Sequence, residues 1–221
     1  NGKKIGIDIL CLEEDACRKI ETKEKTNIFR LDRLGIPLVE VTTKPDIRDP
    51  KECREAAERL GLLLWSTNVK KVLGSIRQDV NVSIKEGTRI EIKGVQKLDW
   101  IPLLINHEIS RQIGLLELKE ELKERKITPE DVTEKIVDLS EEMSNTSSKI
   151  NAKGIKSGKK LYGINLKGFN GLLGKELMKD YRFGTELASK VKSISGLKGI
   201  IHSDENLEKY HFSDQDLDQL R

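Results

Sequence analysis

Ile76-Arg77-Gln78-Asp79-Val80-Asn81-Val82-Ser83-Ile84, then Lys85-Glu86-Gly87 and Thr88-Arg89-Ile90-Glu91-Ile92-Lys93, is the stretch whose pattern speaks most directly about the fold. Ile76, Gln78, Val80, Val82 and Ile84 alternate with Arg77, Asp79, Asn81 and Ser83, the period of a half-buried strand with one polar face. Keeping Ile90 and Ile92 on the apolar face requires Val82 to oppose Ile90. That register predicts a three-residue loop at 85–87 with Gly87 in the left-handed conformation. It sets Asp79 across from Lys93 and Asn81 across from Glu91, so the polar face becomes a charged lattice of Arg77, Asp79, Asn81, Glu91 and Lys93.

Strands and helices alternate on either side. Ile5 to Leu12 is β-rich and mostly apolar, as a well-covered strand would be, and ends in Glu13-Glu14-Asp15. Ile36 to Thr42 reads as a second strand, with Glu40 among Leu38, Val39 and Val41. Asp49-Pro50-Lys51-Glu52 announces a helix, with Asp49 as cap, Pro50 at the first position and Glu52 placed like a capping-box partner; Ala56, Leu60 and Leu64 recur behind it. From Asp99 to Arg125 a long helix is expected, with Ile101, Ile105, Ile109, Gln112, Ile113 and Leu116 as its seam and His107 on its exposed side. Thr128-Pro129-Glu130-Asp131 caps another helix and puts a domain boundary near residue 126. Between Ser147 and Lys175 there are seven lysines and no acid, whereas the last nineteen residues are rich in Asp and Glu. The lysine run suits either a phosphate-tracking surface or a solvated loop. His202 is expected to close an apolar strand, hydrogen-bonded to its neighbours.

Composition narrows the classes. The 221 residues carry 40 Lys+Arg and 37 Asp+Glu, a formal charge of +3, so a generic DNA coat is disfavoured and any nucleic-acid contact must be local. No apolar run approaches the ~18 residues of a membrane span. Three cysteines without a CxxC pair argue against a disulfide framework and for a reducing, cytoplasmic setting. No glycine-rich Lys-Ser/Thr phosphate loop occurs. Asn1 is not a start Met and Arg221 falls in a helix-like run, so the chain reads as part of something longer.

Two constellations could carry chemistry. Glu14 and Glu40 sit in otherwise apolar strands; as hard oxygen ligands they would suit Mg²⁺, and otherwise they are edge acids in water. On the hairpin face, Arg77 and Lys93 could hold phosphate or carboxylate oxygens that Asp79 and Glu91 orient; equally, the face could be a solvated set of cross-strand ion pairs.

Four segments, Leu12 to Ala16, Leu31 to Glu40, Ser75 to Ile84 and Glu91 to Gln96, resemble the B/E subunits of tRNA-dependent amidotransferases, with Gln78 and Gly94-Val95-Gln96 closer to the archaeal E type. Downstream, Gly168 to Gly174, Arg182 to Leu187 and His202 to Glu205 are similar to the GAD domain, which that type shares with bacterial aspartyl-tRNA synthetases. The resemblance implies an α+β fold. A mixed or antiparallel-sheet cradle with flanking helices would occupy residues 1–126, and a helical connection with a smaller α+β GAD-type insertion would occupy 127–221. It implies a ligase that uses ATP and Mg²⁺ to phosphorylate the γ-carboxylate of glutamate on tRNA(Gln). An asparaginase-like amidotransferase partner of the D type would supply ammonia, in a hetero-oligomer. By the same resemblance Glu14 and Glu40 are metal ligands, Arg77 and Lys93 bind the cofactor, and Arg77, Asp79, Asn81, Glu91 and Lys93 line the catalytic cavity. The family's upstream Glu-x-His string has no counterpart in this chain, Cys17 stands where glycine is usual, and the GAD strings are abbreviated. Two other readings fit the same residues: a non-catalytic tRNA- or partner-binding module, and a relative of aspartyl-tRNA synthetase.

Overall fold

Ten strands and five α-helices follow one another along the residues described by the computed structural model, which are 2–72, 74–132 and 136–220. The order is β1 (Ile7–Glu14), β2 (Arg18–Lys23), β3 (Thr26–Arg30), β4 (Pro37–Thr43), α1 (Pro50–Trp65), β5 (Val80–Val82), β6 (Ile90–Ile92), α2 (Ile101–Glu124), β7 (Ile136–Asp138), α3 (Lys149–Lys156), β8 (Tyr162–Ile164), β9 (Glu176–Met178), β10 (Tyr181–Arg182), α4 (Phe183–Ser195) and α5 (Asp214–Gln219). Among the described residues the strands form five two-stranded sheets: β1 with β4, β2 with β3, β5 with β6, β7 with β8 and β9 with β10. The fold is α+β, as expected. By packing, the chain divides into one unit of residues 1–80 and 91–106 and another of 81–90 and 107–221.

In the first unit, β1 runs antiparallel to β4, with Leu10 opposite Val41, Cys11 opposite Glu40, Leu12 opposite Val39 and Glu14 opposite Pro37. β1 therefore starts and ends two residues later than expected and carries the acids inside the strand. It is also not well covered: Leu10 is 70% and Leu12 73% exposed. A strand with one neighbour presents both faces of its pleat, and an apolar run alone does not reveal whether anything lies over it. The charged hairpin of β2 and β3, turning at Glu24-Lys25, has no turn signature in the sequence: Glu24 takes φ +49 in place of the glycine that usually marks such a turn. The Asp49 cap is formed, its carboxylate accepting from the backbone N–H groups of Lys51 and Glu52. Glu52, however, accepts from Arg48 N–H and Lys3 Nζ, so the capping box is not completed. Ala56, Leu60 and Leu64 are half-buried along α1.

β5 and β6 are shorter than the predicted hairpin, and Gly87 is not left-handed; the left-handed glycine is Gly94, at φ +67. Gly87 answers a different constraint. A Cβ there would lie 2.0 Å from Gln112 Oε1 and 2.7 Å from Ile84 Cγ1, so close approach, not turn geometry, demands glycine.

In the second unit, α2 supplies the frame. Its buried line runs through Glu108, Gln112 and Leu118, while Ile113, assigned to the seam by periodicity, is 45% exposed and His107 is half-buried. A polar network displaces the apolar stripe. Arg111 donates to both Glu108 carboxylate oxygens (2.8 and 3.0 Å) and to Glu186 Oε1 (2.9 Å), Gln112 Nε2 donates to Glu108 Oε1 (2.8 Å), and the Tyr181 hydroxyl donates to Glu186 Oε2 (3.0 Å). Burial pushes the Glu108 carboxyl up, but the hydrogen bonds from Arg111 and Gln112 outweigh it and leave its pKa lowered. Leu118 packs with Leu172 and Leu177, and a Cβ on Gly114 would meet the Leu177 backbone at 3.0 Å, so α2 and β9 approach at backbone distance.

The Thr128-to-Asp131 box is present but closes only a 3₁₀ turn over Pro129–Asp131; the helix expected behind it falls partly on 133–135, outside the described residues. His202 lies in no strand; its side chain is buried, with Nε2 3.3 Å from Glu205 Oε1. Asp204 accepts from the N–H groups of Gly171 (3.0 Å) and Gly174 (3.1 Å), while a Cβ on Gly184 would lie 2.3 Å from His202 Nε2 and 3.0 Å from the Leu173 carbonyl. The three downstream strings thus converge.

Leu172 is 1% exposed, so Leu172→Ala should cost about 2–5 kcal/mol. Leu12→Ala, at a site 73% exposed, should stay within about 0.5 kcal/mol. Urea midpoints of the two variants check this; equal losses would mean that β1 is covered after all.

Candidate functional site

The charged groups singled out in the sequence gather in the first unit around the end of β1, the turn before β4 and the residues flanking the β5–β6 hairpin. Asp15 N–H donates to the Ile36 carbonyl (2.8 Å) and Gly35 N–H donates to the Asp15 carbonyl (3.1 Å). Gly35 bends the chain at φ +75, and this closure brings Arg33 back over Asp15. Arg33 donates to Asp15 Oδ2 from Nε (2.9 Å) and Nη2 (2.6 Å), and Arg77 Nη2 reaches the same oxygen at 3.3 Å. One carboxylate therefore holds two guanidiniums, each still half-exposed and with donors to spare. The hydrogen bond from Arg33, then the charges of Arg33 and Arg77, holds the Asp15 carboxyl below its ordinary value against the opposing effect of burial.

A second cluster lies along the hairpin. Lys93 Nζ is 3.0 Å from Glu91 Oε2 and 3.9 Å from Asp79 Oδ2, while Asp79 Oδ1 also accepts from Gly94 N–H at 2.7 Å. The expected opposition of Asp79 and Lys93 is thus realised as a contact. The hydrogen bond with Glu91 and its charge, reinforced by Asp79 and Glu40, raises the Lys93 pKa, so the ammonium persists at neutral pH. Asn81 is exposed between the buried Val80 and Val82, and belongs to the other unit.

The carboxylates on β1 and β4 arrange themselves differently from the expectation. Cys11 is opposite Glu40, and Glu14, three residues on, is opposite Pro37. Successive side chains alternate across a strand, so Glu14 falls on the face opposite to Glu40 and Glu13 falls on the same face as Glu40. One ligand atom each from Cys11, Glu13 and Glu40 lies within 4.8 Å of the others. The carboxylate pair that converges is Glu13 with Glu40, not Glu14 with Glu40. The parity of the strand is the reason: adjacent acids cannot both share a face with a third. Burial and the charges of Glu13 and Glu40 push the Cys11 thiol up, and it donates weakly to Glu13 Oε1 at 3.9 Å. A protonated thiol is a poor ligand for a hard ion, so two carboxylate oxygens are what this face offers a divalent cation. Glu13, Cys11, Asp15 and Arg33 stand in these clusters although none of them is singled out in the sequence; the Glu13-Glu14-Asp15 string marks where two of them lie but not which side they face.

The GatB/GatE catalytic domain family matches residues 1–190. The chain belongs to that family. Over 217 residues it is 49% identical to the E-type subunit of glutamyl-tRNA(Gln) amidotransferase from Thermococcus gammatolerans, covering 98% of this chain and 34% of that relative. It is 48% identical over 221 residues to the protein of the same name from Methanocaldococcus jannaschii, and 46% identical over 224 residues to that from Sulfurisphaera tokodaii. The chain spans about a third of the length of these curated relatives, 34% to 36%. No described helix is long and apolar enough to cross a membrane.

The depressed Asp15 pKa has a definite sign. Its contribution to stability is present above the ordinary value of 3.8 and is lost as pH falls through the lower folded value. A carboxyl-carbon NMR titration should place the Asp15 midpoint below 3.8, and Arg33→Gln should move it back up. A wild-type midpoint at or above 3.8 would remove the clamp.

Proposed function

We propose that the chain is the cradle-bearing portion of an archaeal-type glutamyl-tRNA(Gln) amidotransferase, a carbon–nitrogen ligase of protein biosynthesis that acts on tRNA-bound glutamate. Family membership supports the ligase class, and the names of the relatives supply tRNA(Gln) as the carrier. The observation that carries the chemistry is the lasting Lys93 ammonium held by Glu91 and Asp79 and sensing the charge of Glu40, on which Glu13 converges across the β1–β4 pair; a separate cluster holds two guanidiniums on Asp15.

In this reading a γ-carboxylate oxygen of the glutamyl group attacks the terminal phosphorus of ATP. The bond between that phosphorus and the bridging oxygen breaks, ADP leaves and a γ-glutamyl phosphate forms. Ammonia from an asparaginase-like partner protein then attacks the acyl carbon; inorganic phosphate departs with the bonding electrons, a proton is lost from nitrogen, and the amide remains. A carboxylate is a poor acyl donor until one oxygen has become a phosphate leaving group, and positioning with charge stabilisation is most of what the protein must supply.

Each side chain has a part in that scheme. Arg77 and Lys93 bind phosphate oxygens, Arg77 with the donors that Asp15 leaves free. Asp79 and Glu91 fix where the Lys93 ammonium sits. Mg²⁺ would be held by the oxygens of Glu13 and Glu40, which converge as a hard ion needs, whereas Glu14 faces away from Glu40. When bound, it would neutralise charge on the transferring phosphoryl group. Residues 127–221 are, in this reading, a helical connection and a GAD-type insertion. The convergence of Asp204, Gly171, Gly174, Gly184 and His202 supports that assignment.

The test is glutamine formation on tRNA(Gln) by the full-length protein with its ammonia source, scored with phosphate release that depends on Glu-tRNA. Glu40→Ala and Lys93→Met should each lower the rate by about 100-fold or more while leaving the melting temperature unchanged. Glu13→Ala should be as severe as Glu40→Ala and Glu14→Ala milder. Wild-type rates for both Glu40→Ala and Lys93→Met would end the proposal; a severe Glu14→Ala beside a silent Glu13→Ala would end the metal assignment.

A further inference from the structure

The lysine-rich stretch, which the cradle does not use, forms a surface of its own in the second unit. α3 turns Asn151 and Ile155 toward the protein and leaves Lys149, Lys153 and Lys156 exposed. These three occur at i, i+4 and i+7 and so share one face. With Ala152 and Ser157 they line an open groove of about 440 Å³ that contains no carboxylate.

Their electrostatic isolation distinguishes them from other lysines of the same unit. Lys160 pairs with Asp138 at 2.9 Å, and Lys175 pairs with Glu117 (3.6 Å) and Glu121 (3.2 Å). Among the described residues, Lys149, Lys153 and Lys156 have no such partner. No acid occupies the first turn of α3, so Lys149 also stands at the positive end of the helix dipole without compensation. Like charges one turn apart weaken a helix by a few tenths of a kcal/mol per pair. An arrangement that costs stability in the free protein is offset when an external run of anions lies along it.

We propose that this face of α3 docks the sugar–phosphate backbone of RNA. At a rise of ~1.5 Å per residue the three ammoniums spread over roughly 10 Å along the axis, the reach of a short run of phosphates rather than a single one. The cations are all lysine, point charges that suit phosphate oxygens without a fixed fork, and no aromatic ring lines the groove for base stacking. The contact therefore positions the RNA without reading its sequence. An anionic membrane is the poorer match. Surface binding needs a broad apolar helix face turned outward, and α3 offers only Ile150, 59% exposed, because Ile155 is half-buried and the exposed positions beside it are lysines. The choice of RNA rests on the tRNA-linked function proposed above, but the groove is remote in sequence from Glu40 and Lys93.

The experiment is fluorescence anisotropy of the full-length protein with a tRNA(Gln) transcript, from about 50 to about 250 mM salt. Removing one lysine–phosphate pairing lowers the slope of log affinity against log salt by roughly 0.7–0.9. The triple variant Lys149→Gln, Lys153→Gln, Lys156→Gln should flatten the slope by about 2 and weaken low-salt binding by ten-fold or more. A control that removes the same charge elsewhere, Lys119→Gln, Lys179→Gln, Lys198→Gln, should leave the slope unchanged. An unaltered slope in the first triple would overturn the proposal, as would an equal loss in the control. Wild-type binding to phosphatidylserine vesicles that the first triple abolishes, with tRNA binding intact, would assign the face to membranes instead. Binding is read without ATP or ammonia, so this outcome is independent of whether Glu40 and Lys93 serve amidation.

Discussion

The antiparallel register of β1 on β4 decides which charges in the first unit can act together. With Cys11 opposite Glu40, the pleat carries Glu13 to the side of Glu40 and sends Glu14 to the other. A slip of one residue would exchange the two. The backbone bonds from Asp15 to Ile36 and from Gly35 back to Asp15 lock that register at its end and also bring Arg33 over Asp15. One short stretch of ladder thus sets both the converging carboxylates and the doubly clamped guanidiniums.

The ion pairs of this region are weak as stabilisers and useful as positioners. Exposed pairs of this kind contribute a median of about 0–1 kcal/mol, so Asp15 with Arg33 and Arg77, or Lys93 with Glu91, cannot be what holds the fold. Stability comes from elsewhere: the packing of Leu118, Leu172 and Leu177, and the buried ring of Glu108, Arg111, Gln112, Glu186 and Tyr181. That ring is sensitive in the opposite way, because removing Arg111 would leave the buried Glu108 carboxylate without a cation. Charge is dispersed where it can meet a ligand and satisfied internally where it cannot.

Local chemistry was legible in the sequence wherever the physics is local. Asp49 before Pro50 predicted its helix start, the alternation from Ile76 to Ile84 located a strand with a polar face, and Asp79 met Lys93 as pairing required. What failed was whatever depends on a partner distant in sequence. Coverage of β1 could not be inferred from its apolar run. Ile113 lost its place in the seam to a network that uses Glu186, seventy-five residues beyond Arg111. Gly87 was correctly marked as special and wrongly explained, since a glycine required by a neighbour's proximity looks the same in sequence as one required by φ. Choosing between adjacent acids such as Glu13 and Glu14 needs the register of a strand that begins twenty-three residues after Glu14.

The bare ribbon of β1 and β4 carries a consequence for handling the molecule. Neither strand has a second hydrogen-bonding neighbour among the described residues, and Leu10, Leu12 and Val39 are presented to solvent beside those open edges. Unprotected edges with apolar side chains invite another copy to add on as a further strand. Solutions of this chain should therefore lose monomer to self-association through β1 as concentration rises, and a lysine or proline introduced on that edge is the natural means of keeping it dispersed.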